Sequence, residues 1–133
     1  MKTNFFLLTI ALSFTSLINA QSFNTLWKSV NTNIENNLPE SAEVYLDKIE
    51  QKSIKEDNQK ELLKTFIYRF KIFNLKDENP LETSIKFAEE NIGRLQEPEK
   101  SIFSIAIASL YESYMSQNLN NNKNQQSIVD QEL

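Results

Sequence analysis

Glycine occurs once in this chain, at Gly93, and proline only three times in 133 residues. A β-protein turns tightly about every eight to twelve residues and draws on Gly and Pro for the special backbone angles of those turns. With so little turn material, helices are the expected elements. Three stretches repeat one helix-start signal. "NLPE" at Asn37, "NQKE" at Asn58 and "NPLE" at Asn79 each place a glutamate three residues after an asparagine. In such a capping box the Asn side chain accepts a bond from an orphan amide, while the Glu reaches back and complements the helix dipole. The starts fall 21 residues apart, which leaves about four to five turns and a short link per unit.

Apolar periodicity fills in the units. A first helix is expected from Ser22 to about Asn36, with Phe23, Leu26, Trp27, Val30 and Ile34 along one face. The second carries Ala42, Tyr45, Leu46 and Ile49, and the fourth Leu81, Ile85, Ala88, Ile92 and Leu95. The third, from about Gln59 to Leu75, holds the stretch "LLKTFIYRFKIF", dense in aromatic rings and cations. At about 100° per residue Leu62, Phe66, Phe70 and Phe73 share one side with Leu63 at its edge, and Lys64, Tyr68 and Lys71 gather opposite. That separation favours a core-facing helix with its lysines in water over a basic-aromatic binding strip. Arg69 falls at the border of the apolar face, where its stem packs and its head pairs with a carboxylate on a neighbouring helix.

The fifth helix opens at Pro98 in "EPEKSIFSIAIASLYESYM" and spreads apolar residues around nearly all sides. Such a helix either occupies the centre of a bundle or awaits a further element to cover it. The following "SQNLNNNKNQQSIVDQEL" has no sustained stripe, and residues 118–133 are expected to form a disordered Asn/Gln-rich tail. The fold expected is all-α: about five antiparallel amphipathic helices in a tetratricopeptide-like stack of helix pairs over residues 21–117. The 42-residue offset between the second and fourth helices exceeds the tetratricopeptide period of about 34, so the units are repeat-like without forming a regular array.

The first twenty residues, "MKTNFFLLTIALSFTSLINA", read as a secretory signal peptide: Lys2 is a short basic region, an apolar run follows, and Ala20 precedes the expected cleavage point. No stop-transfer cations follow, so no stable membrane span is expected after cleavage. The expected location is the bacterial periplasm or the medium, since the exported chain has no cysteine to staple it.

The composition also removes chemistry. Without histidine or cysteine the Ser-His and Cys-His nucleophile systems and the HExxH zinc site cannot be built. One glycine excludes the phosphate-cradling loops, and no EF-hand spacing occurs. No cofactor or metal is expected. Carboxylate pairs such as Glu89 and Glu90, or Asp77 and Glu78, could nominally act as acid and base, but adjacent helical residues diverge by about 100° and 18 acids produce such pairs by chance. A net charge of −4 argues against a nucleic-acid partner. Proteins are the expected partners. Trp27, Tyr68, Arg69, Tyr111 and Tyr114 are the candidate partner surface, weighed against core packing, which the helical spacing of the aromatic residues favours.

In order along the chain, Leu26-Trp27-Lys28, Leu38-Pro39 with Ser41-Ala42, Tyr68-Arg69, and Glu97-Pro98-Glu99-Lys100-Ser101-Ile102 resemble the N-terminal helical region of large alpha-2-macroglobulin family proteins from Bacteroidetes. The resemblance spans Phe23 to Tyr114. It implies a helical segment placed before macroglobulin-like β-domains, in proteins that trap proteases through a bait region and in many cases a thioester. The thioester motif needs a cysteine, which this chain lacks, and no functional residue of the family carries over. Asn37 stands where the family has glycine. The function expected is therefore an exported, non-catalytic helical module acting in docking or scaffolding, with protease inhibition only if joined to macroglobulin and thioester domains. A free-standing tetratricopeptide-like adaptor of the bacterial envelope is the alternative, and a small carboxylate hydrolase is the third reading weighed.

Overall fold

Two of the three links between the first four helices reverse the chain through a residue in the left-handed region that is not glycine. In the computed structural model, which describes residues 21–129 and the side chains of residues 21–119, Asn37 has φ 56° and Asp57 has φ 50°. Each sits just beyond a helix end. The Leu38 amide donates to the Asn33 carbonyl and the Asn37 amide to that of Ile34; Asn58 and Asp57 bond to Ser53 and Ile54 in the same pattern. These are Schellman closures, in which Asn and Asp stand in for the usual glycine because their short polar side chains tolerate the left-handed conformation.

The elements are α1 (Phe23–Glu35), α2 (Pro39–Lys55), α3 (Gln59–Lys76), α4 (Pro80–Asn91), a 3₁₀ turn (Ile92–Arg94) and α5 (Glu99–Val129). The chain is all-α over the described residues. Of the three capping boxes, only Asn58 acts as expected, its side chain accepting from the Glu61 amide at 3.1 Å. Asn37 closes α1 instead of opening α2, whose N-cap is Leu38. Asn79 precedes α4 without a side-chain bond. In both α2 and α4 proline occupies the first turn, where its missing N–H costs no hydrogen bond.

Successive helices lie side by side and antiparallel. Glu43, early in α2, meets Lys76 at the end of α3, while Glu50, later in α2, meets Arg69, earlier in α3. Two apolar clusters result. The first joins Leu26, Trp27 and Val30 of α1 to Ala42, Leu46 and Ile49 of α2 and Ile72 of α3. The second is aromatic, with Phe66 and Phe103 fully buried and Phe70 and Phe87 packed against them. Ring centroids there lie 5.5 to 6.3 Å apart, the range in which aromatic pairs add to simple area burial.

Helix α3 takes part in both clusters. The single stripe read from its sequence is too narrow: Thr65 and Ile72 are also buried, and Tyr68, expected opposite the core, is half-buried against Trp27. A helix covered by α2 on one flank and by α4 and α5 on the other needs a wide apolar arc, with only Lys60, Lys64, Ile67, Lys71, Asn74, Leu75 and Lys76 outside it. Thus α3 is the central helix, not α5.

Helix α5 runs to Val129, through residues 118–129 that the sequence reading assigned to a disordered tail. The absence of an apolar stripe speaks to packing and not to helicity, since straight-chain polar residues such as Gln and Lys still propagate a helix. Residues 130–133 of that tail, and the signal segment 1–20, lie outside the described residues. No described helix is long and apolar enough to cross a membrane.

Candidate functional site

The five aromatic and cationic residues singled out in the sequence fall in three separate places. Trp27 and Tyr68 meet, ring centroids 4.7 Å apart, where α1 crosses α3. Trp27 is only 5% exposed and donates its indole N–H to the Glu61 carboxylate at 2.5 Å. A buried indole requires such an acceptor. Glu61 is the residue that the capping box would send back to Asn58; it turns to Trp27 instead, because the Asn58 amide is already donated to the Ser53 carbonyl. Above the two rings lies Lys64, its Nζ 4.0 Å from the Trp27 centroid and 5.9 Å from that of Tyr68. An open depression of about 490 Å³ forms here, with Asn24, Lys28, Asn31, Thr32 and Glu35 along α1 and Glu61 and Lys64 along α3.

Arg69 faces the other flank of α3. Glu43, Asp47 and Glu50 line one side of α2 at four- and three-residue spacing and receive it: Nη2 lies 2.6 Å from Asp47 and 2.7 Å from Glu50, Nη1 3.7 Å from Glu43. This is the neighbouring-helix pairing anticipated for it. Glu50 also accepts from Arg94 at 2.7 Å, and Glu43 from Lys76 at 2.6 Å. Burial works against the Arg69 charge, and the hydrogen bonds to Asp47 and Glu50 more than offset it, so its pKa stands above the ordinary arginine value. Its Nε is buried without a partner, the cost side of the clamp. The residue fastens helices together and presents nothing to a partner.

Tyr111 and Tyr114 lie on α5. Tyr111 donates its hydroxyl to the Glu89 carboxylate of α4, which raises the phenol pKa by stabilising the protonated form. Tyr114 borders a depression of about 280 Å³ with Glu78, Pro80, Leu81 and Glu82 at the start of α4. Neither pair of adjacent acids converges on a cleft. Glu89 is engaged by Tyr111, and Glu90 is exposed without a polar side-chain partner among the described residues. No group of three His, Cys, Asp or Glu side chains that could hold a metal ion occurs among the described residues.

The apolar surface of the fifth helix that the sequence leaves to a further element is the outer side of α5. Ile105, Ala108, Met115 and Leu119 follow one another at spacings of three, seven and four residues, one side of a helix, with Ile102 beside them. Ile105 is 69% exposed, Met115 63% and Leu119 58%. Among the described side chains of this helix only Phe103 is fully buried. No protein-family model matches the chain, and no curated protein or solved structure matches it either.

Proposed function

We propose that the chain is an exported, non-catalytic helical module whose work is docking, in the role that its resemblance to the N-terminal helical region of bacterial alpha-2-macroglobulin family proteins implies. One observation supports this reading above the others: α5 buries one face against α3 and α4 and leaves a continuous apolar line on the other. Large apolar side chains each stabilise by about 1.5–3 kcal/mol when removed from water, so a helix that leaves four of them in solvent gains substantially from a protein surface laid over it. The partner is the apolar face of a macroglobulin-like β-domain. Protease inhibition would belong to that larger protein, with this module acting in the periplasm or outside the cell as the helical support.

The test is a binding measurement between the purified chain and a purified macroglobulin-like β-domain fragment. Saturable binding that is lost in an Ile105→Glu, Met115→Glu variant supports the proposal. Binding that the variant retains, or no binding to such a fragment by a chain whose circular dichroism is helical, overturns it.

A further inference from the structure

The cleft between α1 and α3 is a second surface, and its charges set it apart from the rest of the molecule. Helix α3 carries five cations and a single carboxylate in a chain of net charge −4. Those cations divide by flank. Arg69 and Lys76 are held by the carboxylates of α2. Lys60, Lys64 and Lys71 project from the exposed ridge of the same helix, and none of them, nor Lys28 across the cleft, has a carboxylate within 4.0 Å among the described residues. Two carboxylates share the depression: Glu61 turns inward to the Trp27 indole, and Glu35 stands exposed at its far end, two helical turns beyond Lys28, so the free cations Lys28, Lys60, Lys64 and Lys71 outnumber the one free acid. Along the same ridge two aliphatic side chains are exposed, Ile67 at 37% and Leu75 at 41%. Trp27 packs against Tyr68 beneath Lys64.

We infer that this cleft binds an acidic polypeptide segment with aliphatic side chains between its carboxylates. The ligand's carboxylates lie against Lys28 and Lys64, two exposed ammonium groups with no carboxylate within 4.0 Å among the described residues. Its aliphatic groups follow Ile67 and Leu75 along α3. The amides of Asn24 and Asn31, one turn to either side of Lys28 on α1, both donate and accept and so suit the backbone of an extended segment. A basic peptide is disfavoured by the same charges. A nucleic acid meets a narrow ridge on a molecule whose remaining surface is acidic. This site is separate from the outer side of α5, and its occupancy does not depend on a partner there.

Trp27 is the chain's only tryptophan, so its fluorescence reports on the cleft directly. The purified chain is titrated with a short synthetic peptide alternating Glu and Leu. A saturable change in Trp27 emission is expected, weakening as salt is raised. In a Lys28→Glu, Lys64→Glu variant the affinity should fall about tenfold or more, while Lys86→Glu on the exposed side of α4 should leave it unchanged. A milder Lys28→Gln, Lys64→Gln pair gives the same direction of change if the charge reversals disturb the helices. Equal binding of a Lys–Leu peptide overturns the inference, as does undiminished binding by the neutral pair. So does tighter binding of a DNA duplex or of vesicles of anionic lipid than of the acidic peptide.

Discussion

Helices α1 and α5 close the two ends of the stack, and they meet water differently. Helix α1 buries Leu26, Trp27 and Val30 and turns Asn24, Thr25, Lys28 and Thr32 outward. Among its described side chains helix α5 buries Phe103 alone and turns Ile105, Met115 and Leu119 outward. A stack of helix pairs ends in solution when its terminal helix carries a polar outer face. By that criterion α1 is a cap, and α5 is an internal helix placed at an edge. The difference also assigns the two candidate surfaces to different physics: a polar, charged cleft beside α1, and an apolar line on α5.

The largest effects should come from removing the one aromatic side chain that anchors each end. Trp27→Ala and Phe103→Ala each delete a buried ring and should cost about 3–5 kcal/mol. Their consequences should differ in extent. Trp27 belongs to the cluster shared by α1, α2 and α3 and also satisfies Glu61, so its loss should lower protection from hydrogen exchange across all three helices. Phe103 is the only fully buried residue among the described side chains of α5, so its loss should expose α5 and the facing side of α4 while α1 and α2 stay protected. Uniform loss of protection in Phe103→Ala would remove the distinction between the two ends.

The clamp on the α2 flank ranks next. Arg69→Ala removes the shared partner of three carboxylates and should cost about 2–3 kcal/mol in denaturant unfolding, because Asp47 loses its cation and the largely buried Glu50 keeps only Arg94. Arg94→Ala leaves Arg69 in place to satisfy Glu50, and the side chain it removes is well exposed, so its cost should be about 1 kcal/mol or less. Similar costs for the two would mean that the network is shared evenly and not centred on Arg69.

Capping gives a smaller and more selective effect. Asn58→Ala should cost about 1 kcal/mol, since Asn58 holds the Glu61 amide, whereas Asn79→Ala should be near neutral because no side-chain bond is lost. This pair also shows what could be read in advance. The helices, their order and most of their buried faces follow from periodicity: every residue assigned to the α1 face is buried or packed on the core. The Arg69 pairing followed from its place on the border of a stripe. The three Asn boxes are indistinguishable in sequence, because Asn suits both an N-cap and the left-handed residue that closes the preceding helix, and the three-dimensional link decides between them. The breadth of α3 escaped for a related reason. A helical wheel records which residues are apolar, whereas the number of neighbours a helix must face is a property of the stack, so Thr65 and Tyr68 acquired their positions only there. The Trp27–Glu61 bond joins residues 34 apart in the chain and left no local signal.

The smallest effect is a dependence on alkaline pH, and it returns to the contrast between the two ends. Lys76 near α2 and Tyr111 on α5 both have pKa values raised in the folded chain, the first chiefly by its hydrogen bond to Glu43 and the second by its bond to Glu89. In each case the protonated form is the one that folding favours. Their contribution is therefore complete below the unfolded-state values, about 10.4 for lysine and about 10 for tyrosine, and is lost as pH rises through the higher folded-state values. For the Lys76 pair, which keeps contact with solvent, this amounts to a few tenths of a kcal/mol. Below about pH 9, Lys76→Gln should be slightly less stable than the parent, and the gap should narrow as pH rises through the raised Lys76 value. Tyr111→Phe should follow the same pH course, but its loss should register as faster exchange of α5 amides and leave those of α1 unchanged, since the bond it removes ties only α4 to α5. A gap that widened with pH in either variant would mean that the deprotonated side chain is the one that folding favours.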